Sequence, residues 1–315
     1  MNKQKQVEKF IGICKLSQEE LANEMVFALQ KEGYKAAKRD GFVYAKGEIP
    51  ILLTAHLDTV HKQLVKSVVI KDHKGKTIIS SPQGIGGDDR CGVFMIMEIV
   101  KKYKCSVLFC EDEEIGSIGA DKFVKSEFIN DVADMNFIIE LDRANANDAV
   151  FYDCDNPKFT EFVLSNTKYV NQVGSFSDIS VIAPTCGVAA VNLSCGYFYP
   201  HTKGEEVVFE DMLNTIEKVK LLIAAQTGER FEYIEAEPIY KYSRNYAFDD
   251  YYSYYDYCEV YVQYRENGKL KDAISVGKTK GEASFNFFVE HPYVCYNQVE
   301  TIDTFYDEND IWNYG

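Results

Sequence analysis

The chain has 315 residues, 46% of them hydrophobic and 26% charged, which suits a folded globular protein with one large domain and an appendage or with two ordinary domains. Its 49 acidic and 34 basic residues give a formal net charge of −15, which disfavours nucleic acid and anionic membranes as partners. No apolar stretch of signal-peptide length opens the sequence, no run of about 18 apolar residues occurs, and the nine cysteines are scattered without a CxxC pair. A cytoplasmic protein with reduced thiols is the expectation.

In chain order, Ser17 and Glu20 form a capping box ahead of a helix that uses Leu21, Met25, Val26 and Leu29 and ends near Gly33. Two short extended pieces follow between Lys35 and Lys46, and then a buried strand from Pro50 to His56. Val68 to Ile79 alternates around a turn at residues 72–76, the mark of a hairpin. Gly84, Gly86 and Gly87 lead into Asp88, Asp89 and Arg90, followed by a helical period over Val93 to Tyr103. Strands are predicted at Ser106–Cys110, Asn136–Leu141 and Val188–Leu193. Helices are predicted at Ala120–Ser126, Lys158–Asn166, Ser177–Ile182 and Glu210–Thr227. Strands alternating with helices define an α/β fold, a mixed and mostly parallel sheet with helices on both faces.

Polar residues recur just past the carboxyl ends of these strands, the edge of an open α/β sheet where ligands bind. His56 with Asp58, Asp88, Glu113 with Glu114, and Asp142 all fall there, and His201 lies in the loop after the Val188 strand. In His56-Leu57-Asp58, residues two apart on extended chain share a face, so Asp58 can hold the imidazole nitrogen that His56 leaves free for another partner. Alone, the motif also fits a surface histidine. Adjacent Glu113 and Glu114 repel each other and need a reason to coexist, such as a division into metal ligand and general base, although a solvated acidic turn is the alternative. The glycine-rich turn before Asp88 lacks the Lys and Ser or Thr of a phosphate-binding loop.

Five ordered segments then carry a resemblance: His56 to Thr59, Gly86 to Arg90, Glu111 to Ala120, Glu140 to Asp142, and Tyr199 to Thr202. Together they resemble the co-catalytic di-zinc exopeptidase superfamily, which includes peptidase T, the glutamyl-aminopeptidase group and single-domain zinc aminopeptidases. The resemblance spans roughly residues 50–225. It implies a zinc exopeptidase-like fold and Asp88 bridging two Zn2+ ions about 3.5 Å apart. His56 and Asp142 complete one site, and Glu114 and His201 the other. Asp58 orients His56, Glu113 is the general base of a metal-bridging hydroxide, and the Asp88–Asp89 peptide bond is cis. Two divalent ions against three carboxylates and one hydroxide give a neutral site, and mixed nitrogen and oxygen ligands suit zinc, with cobalt or manganese as substitutes.

Only 58 residues lie between Asp142 and His201, too few for the inserted lid domain of many two-domain relatives, which favours cleavage of peptides from the amino end. Rival readings are other zinc amide chemistry on this scaffold (a deacylase, carboxypeptidase or glutaminyl cyclase) or a non-catalytic binding protein. His61, His73 and Cys91 are kept outside the site. The expected organisation is a di-zinc peptidase domain over residues 1–228 and a Tyr-rich acidic antiparallel β appendage over 229–315. Asn267-Gly268 would be a hairpin turn there and Ser284–Val289 a further strand. The oligomeric state cannot be read from the sequence.

Overall fold

The computed structural model describes residues 3–236, 258–266, 269–277, 287 and 299–304. The chain divides into two compact units, Met1–Val173 with Ser177–Ala236, and Gly174–Phe176 with Glu237–Gly315.

In the first unit, helix α1 (Lys3–Cys14), which the sequence reading did not anticipate, precedes α2 (Gln18–Lys31). The Ser17–Glu20 capping box is present in full: the Glu20 N–H donates to Ser17 Oγ at 3.3 Å and the Ser17 N–H to Glu20 Oε2 at 2.9 Å. Strands β1 (Ala36–Arg39), β2 (Phe42–Ala45) and β3 (Ile49–His56) follow. Next come the hairpin β4 (Val69–His73) and β5 (Lys76–Ser80), helix α3 (Gly87–Ile99), β6 (Cys105–Cys110), α4 (Ile118–Val124), α5 (Ile129–Ala133) and β7 (Phe137–Arg143). The unit continues through β8 (Asp148–Val150), α6 (Pro157–Thr167), β9 (Val170–Gln172), α7 (Asp178–Cys186), β10 (Ala190–Ser194), β11 (Tyr197–Phe198), β12 (Glu206–Val208) and α8 (Phe209–Ala225).

Eight strands form one sheet in the order β1-β2-β6-β3-β7-β10-β8-β9. Its centre is parallel, β3 pairing with β6 and β7 and β10 with β7, while β1, β2 and β8 pair antiparallel with their inner neighbours. The fold is therefore the mixed α/β sheet anticipated. Alternation assigns each strand residue to a layer. Leu53, Val107, Phe137 and Ile139 pack on one face in the larger core with α1, α2, α3 and α8. Leu52, Leu108 and Ile138 pack on the other with α4 and α7. Aromatic contacts tie the larger core together, Phe137 lying 5.8 Å from Phe159 and 5.5 Å from Phe162 between ring centroids.

The first unit runs on to Ala236, beyond the boundary expected at 228. The cause is Phe231, which is buried against Phe159 and Phe162, while its backbone N–H donates to Asn136 O and its carbonyl accepts from the Ala189 N–H. A smaller sheet, β11-β12-β5-β4, lies beside the main one in sequence-distant pairing.

In the second unit, β13 (Cys258–Glu266), β14 (Lys269–Gly277) and β15 (Val299–Thr304) form an antiparallel sheet in the order β14-β13-β15. Val262 and Tyr264 share a buried face, and Tyr264 meets Phe287 edge-on at 5.1 Å. The expected turn at Asn267-Gly268 and the tyrosine run 251–257 lie outside the described residues. So does the strand expected at 284–289, apart from Phe287. Among the described residues no helix is long and apolar enough to cross a membrane, and Cys14, Cys91, Cys105, Cys110, Cys154, Cys186 and Cys195 are free and buried.

Candidate metal centre

Each strand of the parallel centre delivers a polar residue at its carboxyl end. His56 closes β3, Asp142 lies near the end of β7, and Glu113 and Glu114 follow β6 by three and four residues. Asp88 comes from the turn into α3, whose start is irregular: Gly86 sits at φ +66°, Asp88 and Asp89 depart from helical dihedrals, and the peptide bond between them is cis. Only glycine takes the Gly86 conformation cheaply. Gly92, one turn on, lets α3 approach β7, since a Cβ there would lie 1.9 Å from Leu141 O. His201 arrives on the loop after β11 with φ +61°, and Asp112, Ser117 and Tyr199 also occupy the left-handed region around this edge. Such strained positions concentrate at functional sites.

These segments converge. His56 Nε2 lies 3.0 Å from Asp88 Oδ1 and 3.3 Å from Asp142 Oδ1. His201 Nε2 lies 3.2 Å from both Asp88 Oδ2 and Glu114 Oε2. Two ligand sets result, His56–Asp88–Asp142 and Asp88–Glu114–His201, each with its donor atoms close enough to hold a metal ion and both sharing Asp88 through its two oxygens. Asp58 stands behind them. Its Oδ1 is 3.0 Å from His56 Nδ1, and its two oxygens accept from the Glu113 and Glu114 N–H groups at 3.0 Å each. One carboxylate thus aligns the imidazole and both neighbouring glutamates.

The donor chemistry fits a divalent cation. Glu114 Oε1 and Asp142 Oδ1 are buried with no hydrogen-bond partner, a costly state for a carboxylate unless a cation faces it. Burial opposes charge on Asp88, yet the hydrogen bonds with His201 and His56 hold its carboxyl well below the usual range. Hydrogen bonds to Asp88 and Glu114 push the His201 imidazole up to about 11. Asp142 is pushed up to about 7 by burial and by the Asp88 charge. Burial also raises Glu113 to about 9, with Asp142, Asp178 and Glu114 reinforcing the shift against His56. Acids crowded this closely are the arrangement that cations relieve.

All seven residues singled out in the sequence are brought together here. His61 is not: its Nε2 pairs with Glu205 Oε2 at 2.8 Å. His73 is exposed in the β4–β5 hairpin, and Cys91 is buried, its thiol pushed well above the ordinary range by desolvation. Sequence reasoning passed over Glu205, which is fully buried and accepts from the Gly86 N–H at 2.8 Å and the Asp88 N–H at 3.0 Å, so it holds the turn that presents Asp88. It also passed over Asp178 and Glu140, buried acids beside Glu113. Neither Asp178 oxygen nor Glu140 Oε2 has a hydrogen-bond partner. Asp178 opens α7 directly after the N-cap Ser177, where an acid reads as an ordinary helix start, and Glu140 lies inside an apolar strand. Glu205 lies four residues past His201, and its partners are the distant Gly86 and Asp88 N–H groups, which no local pattern announces.

Residues 43–181 match the model of peptidase family M28, a stretch that contains His56, Asp88, Glu114 and Asp142. The matched stretch is similar to that peptidase family, and the fold is the one the chain shares with solved metal-dependent exopeptidases. Among solved structures it is similar to aminopeptidase PepT from Bacillus cereus ATCC 10987, at 14% identity and TM-score 0.58 over 71% of this chain and 98% of that one. It is also similar to a tripeptidase from Staphylococcus aureus subsp. aureus Mu50, at 13% identity and TM-score 0.57 over 72% and 100%. An aminopeptidase from the archaeon Desulfurococcus kamchatkensis matches at 17% identity and TM-score 0.53 over 71% and 96%. At these identities the likeness is one of fold. No curated protein matches the sequence.

Proposed function

We propose that this metal-dependent peptidase is an aminopeptidase that holds two zinc ions, one on His56, Asp88 and Asp142 and the other on Asp88, Glu114 and His201. The observation that carries the reading is the single buried Asp88 carboxylate shared by both ligand sets. When bound, divalent ions at such a site polarise the scissile carbonyl and make water acidic.

The protein's own residues supply the rest. Glu113 lies beside both sets, where a deprotonated carboxylate would accept a proton from water and later deliver it to the departing amine; burial and the neighbouring acids raise its proton affinity in the metal-free chain, and bound cations would oppose that shift. Asp58 fixes the backbone of Glu113 and the ring of His56 together, so base and ligand keep one geometry. Asp178 and Glu140 sit against Glu113 and favour its protonated form once it has taken the proton. The strands β8, β9 and β10 between Asp142 and His201 all join the central sheet, which leaves too little chain in this stretch for an inserted domain and supports attack at a free amino end.

Metal analysis alongside hydrolysis tests the reading. Two equivalents of zinc and rapid cleavage of free peptides, with N-acetylated ones resistant, are expected. Equal rates on both would end the aminopeptidase assignment, and cleavage confined to acylated amino acids would favour a deacylase.

A further inference from the structure

A cavity of about 510 Å³ adjoins the metal centre, with Asp58 and Glu114 among its lining residues. Ligand pockets for small molecules run to roughly 300–1,000 Å³, so the space takes a whole side chain with room for the adjoining backbone. Its walls come from four places far apart in sequence: the turn between α1 and α2, the segment 59–65 after β3, the turn before α3, and the loop 112–115 after β6.

Arg90 braces these walls. Its Nη1 donates to Leu57 O and its Nη2 to Leu16 O, so a buried guanidinium ties the α1–α2 turn to the end of β3. The helix α1, absent from the sequence reading, thereby becomes part of the site.

Much of the lining is aliphatic, with Gln63 the polar residue on its exposed side. Leu16, Val60, Leu64, Val65, Ile85 and Ile115 contribute, and Leu64 and Ile115 are 51% and 70% exposed. Exposed apolar side chains gathered around a cleft mark a surface that gains by being covered.

Several polar groups of the lining are meanwhile committed to one another, Glu114 Oε1 on the metal side and the solvent-exposed Gln63 being the exceptions. Gln18 Nε2 donates to Asp112 Oδ1 at 2.9 Å, and the Asp112 N–H returns to Gln18 Oε1 at 3.1 Å. His61 is bound to Glu205, and Thr59 Oγ1 accepts from the His61 N–H at 3.0 Å. The Arg90 nitrogen left without a partner, Nε, is buried away from solvent. A polar substrate group entering here would surrender water for walls already satisfied. An acidic group would in addition meet Asp58, Asp112 and Glu114.

We propose that this cavity is the specificity pocket of the exopeptidase site and selects a bulky aliphatic side chain, leucine or methionine, next to the scissile bond. The proposal rests on the peptidase reading above. Apolar pockets discriminate by about 10–200-fold per methylene group, so a leucine peptide should exceed its alanine counterpart in kcat/KM by at least about tenfold.

The test uses the full chain loaded with zinc and dipeptides in which leucine, methionine, alanine, lysine or glutamate stands on either side of the cut bond. Leucine and methionine should lead at one of the two positions. Leu64→Asp and Ile115→Asp should each lower the leucine-to-alanine ratio about tenfold, because a carboxylate on the rim costs the apolar side chain most. Calorimetric titration with L-leucinamide and L-alaninamide supplies a readout without turnover, and leucinamide should bind more tightly to the unaltered chain and lose that advantage in both variants. If peptides are cut with leucine and alanine within twofold, or with lysine or glutamate preferred, the pocket assignment is overturned and the peptidase reading stands. If leucinamide is preferred but no peptide is cut, the peptidase reading fails and the pocket survives.

Discussion

At the amino ends of the central strands, backbone groups find protein partners. The Ile49 N–H donates to Lys104 O at 2.9 Å, the Asn136 N–H to Pro50 O at 2.7 Å and the Phe231 N–H to Asn136 O at 2.8 Å. At the carboxyl ends of the same strands, oxygens of Glu114, Glu140, Asp142 and Asp178 are buried with no hydrogen-bond partner. One end of the sheet is satisfied by the protein alone, while the other is left short of positive charge. A rim that stays short of cations until it binds them costs the fold stability, and the apolar layers on both faces offset that cost. The lesson is that the stiff satisfied end is what allows the strained end to hold its geometry.

The sharpest probe of the contrast lies at the strained end. Glu113→Gln keeps size and loses proton transfer, so turnover should fall on the order of a hundredfold or more while both metals are retained. Glu114→Gln should instead weaken metal binding at one site. Should metal analysis show the reverse pattern, the two glutamates have exchanged roles.

Glu205→Gln is a step removed from the chemistry. Glu205 accepts from two backbone N–H groups and faces His61, and a glutamine would turn an N–H donor toward one of these. Zinc affinity or activity should drop by about 10–100-fold, the usual range for groups that orient metal ligands. A loss confined to thermal stability, with metal affinity intact, would count against this role.

A pair of substitutions compares the two regimes directly. Phe137→Ala opens a cavity between Phe159, Phe162 and Phe231, and urea unfolding should show a loss of about 3–5 kcal/mol. Asp178→Asn removes a buried charge with no partner and should stabilise the metal-free chain, on the order of 1–3 kcal/mol. Destabilisation by Asp178→Asn would show that the rim is not under the electrostatic strain argued here.

A last probe is the pH dependence of the metal-free chain. Glu113 binds its proton more tightly in the fold, at about 9 against an ordinary 4.5, so its contribution is complete below 4.5 and is lost as pH rises through about 9. Asp142 acts the same way between 3.8 and about 7, and His201 between 6.5 and about 11. Asp58 and Asp88, whose carboxyls are depressed, contribute above 3.8 and lose that contribution in more acidic solution. Melting temperature should therefore fall from about pH 5 to about pH 9 without zinc, and zinc should reverse the trend. A rise over that interval in zinc-free buffer would break the account.

Much of this protein was legible in its sequence because the relevant signals are local. Continuous apolar runs mark β3, β6, β7 and β10, the Ser17–Glu20 box marks α2, and polar residues just past strand ends mark the rim. The family resemblance then implied roles for His56, Asp58, Asp88, Glu113, Glu114, Asp142 and His201, which the geometry accommodates. What the sequence could not supply depends on distance along the chain. Glu205 reaches the Asp88 turn across 117 residues, Arg90 joins the α1–α2 turn to β3, and Asp178 becomes a buried acid only because α7 packs against the end of β7. A side chain's type is written at its own position, but its desolvation and its partners are set by whatever the fold brings to it, and those are properties of the tertiary structure alone.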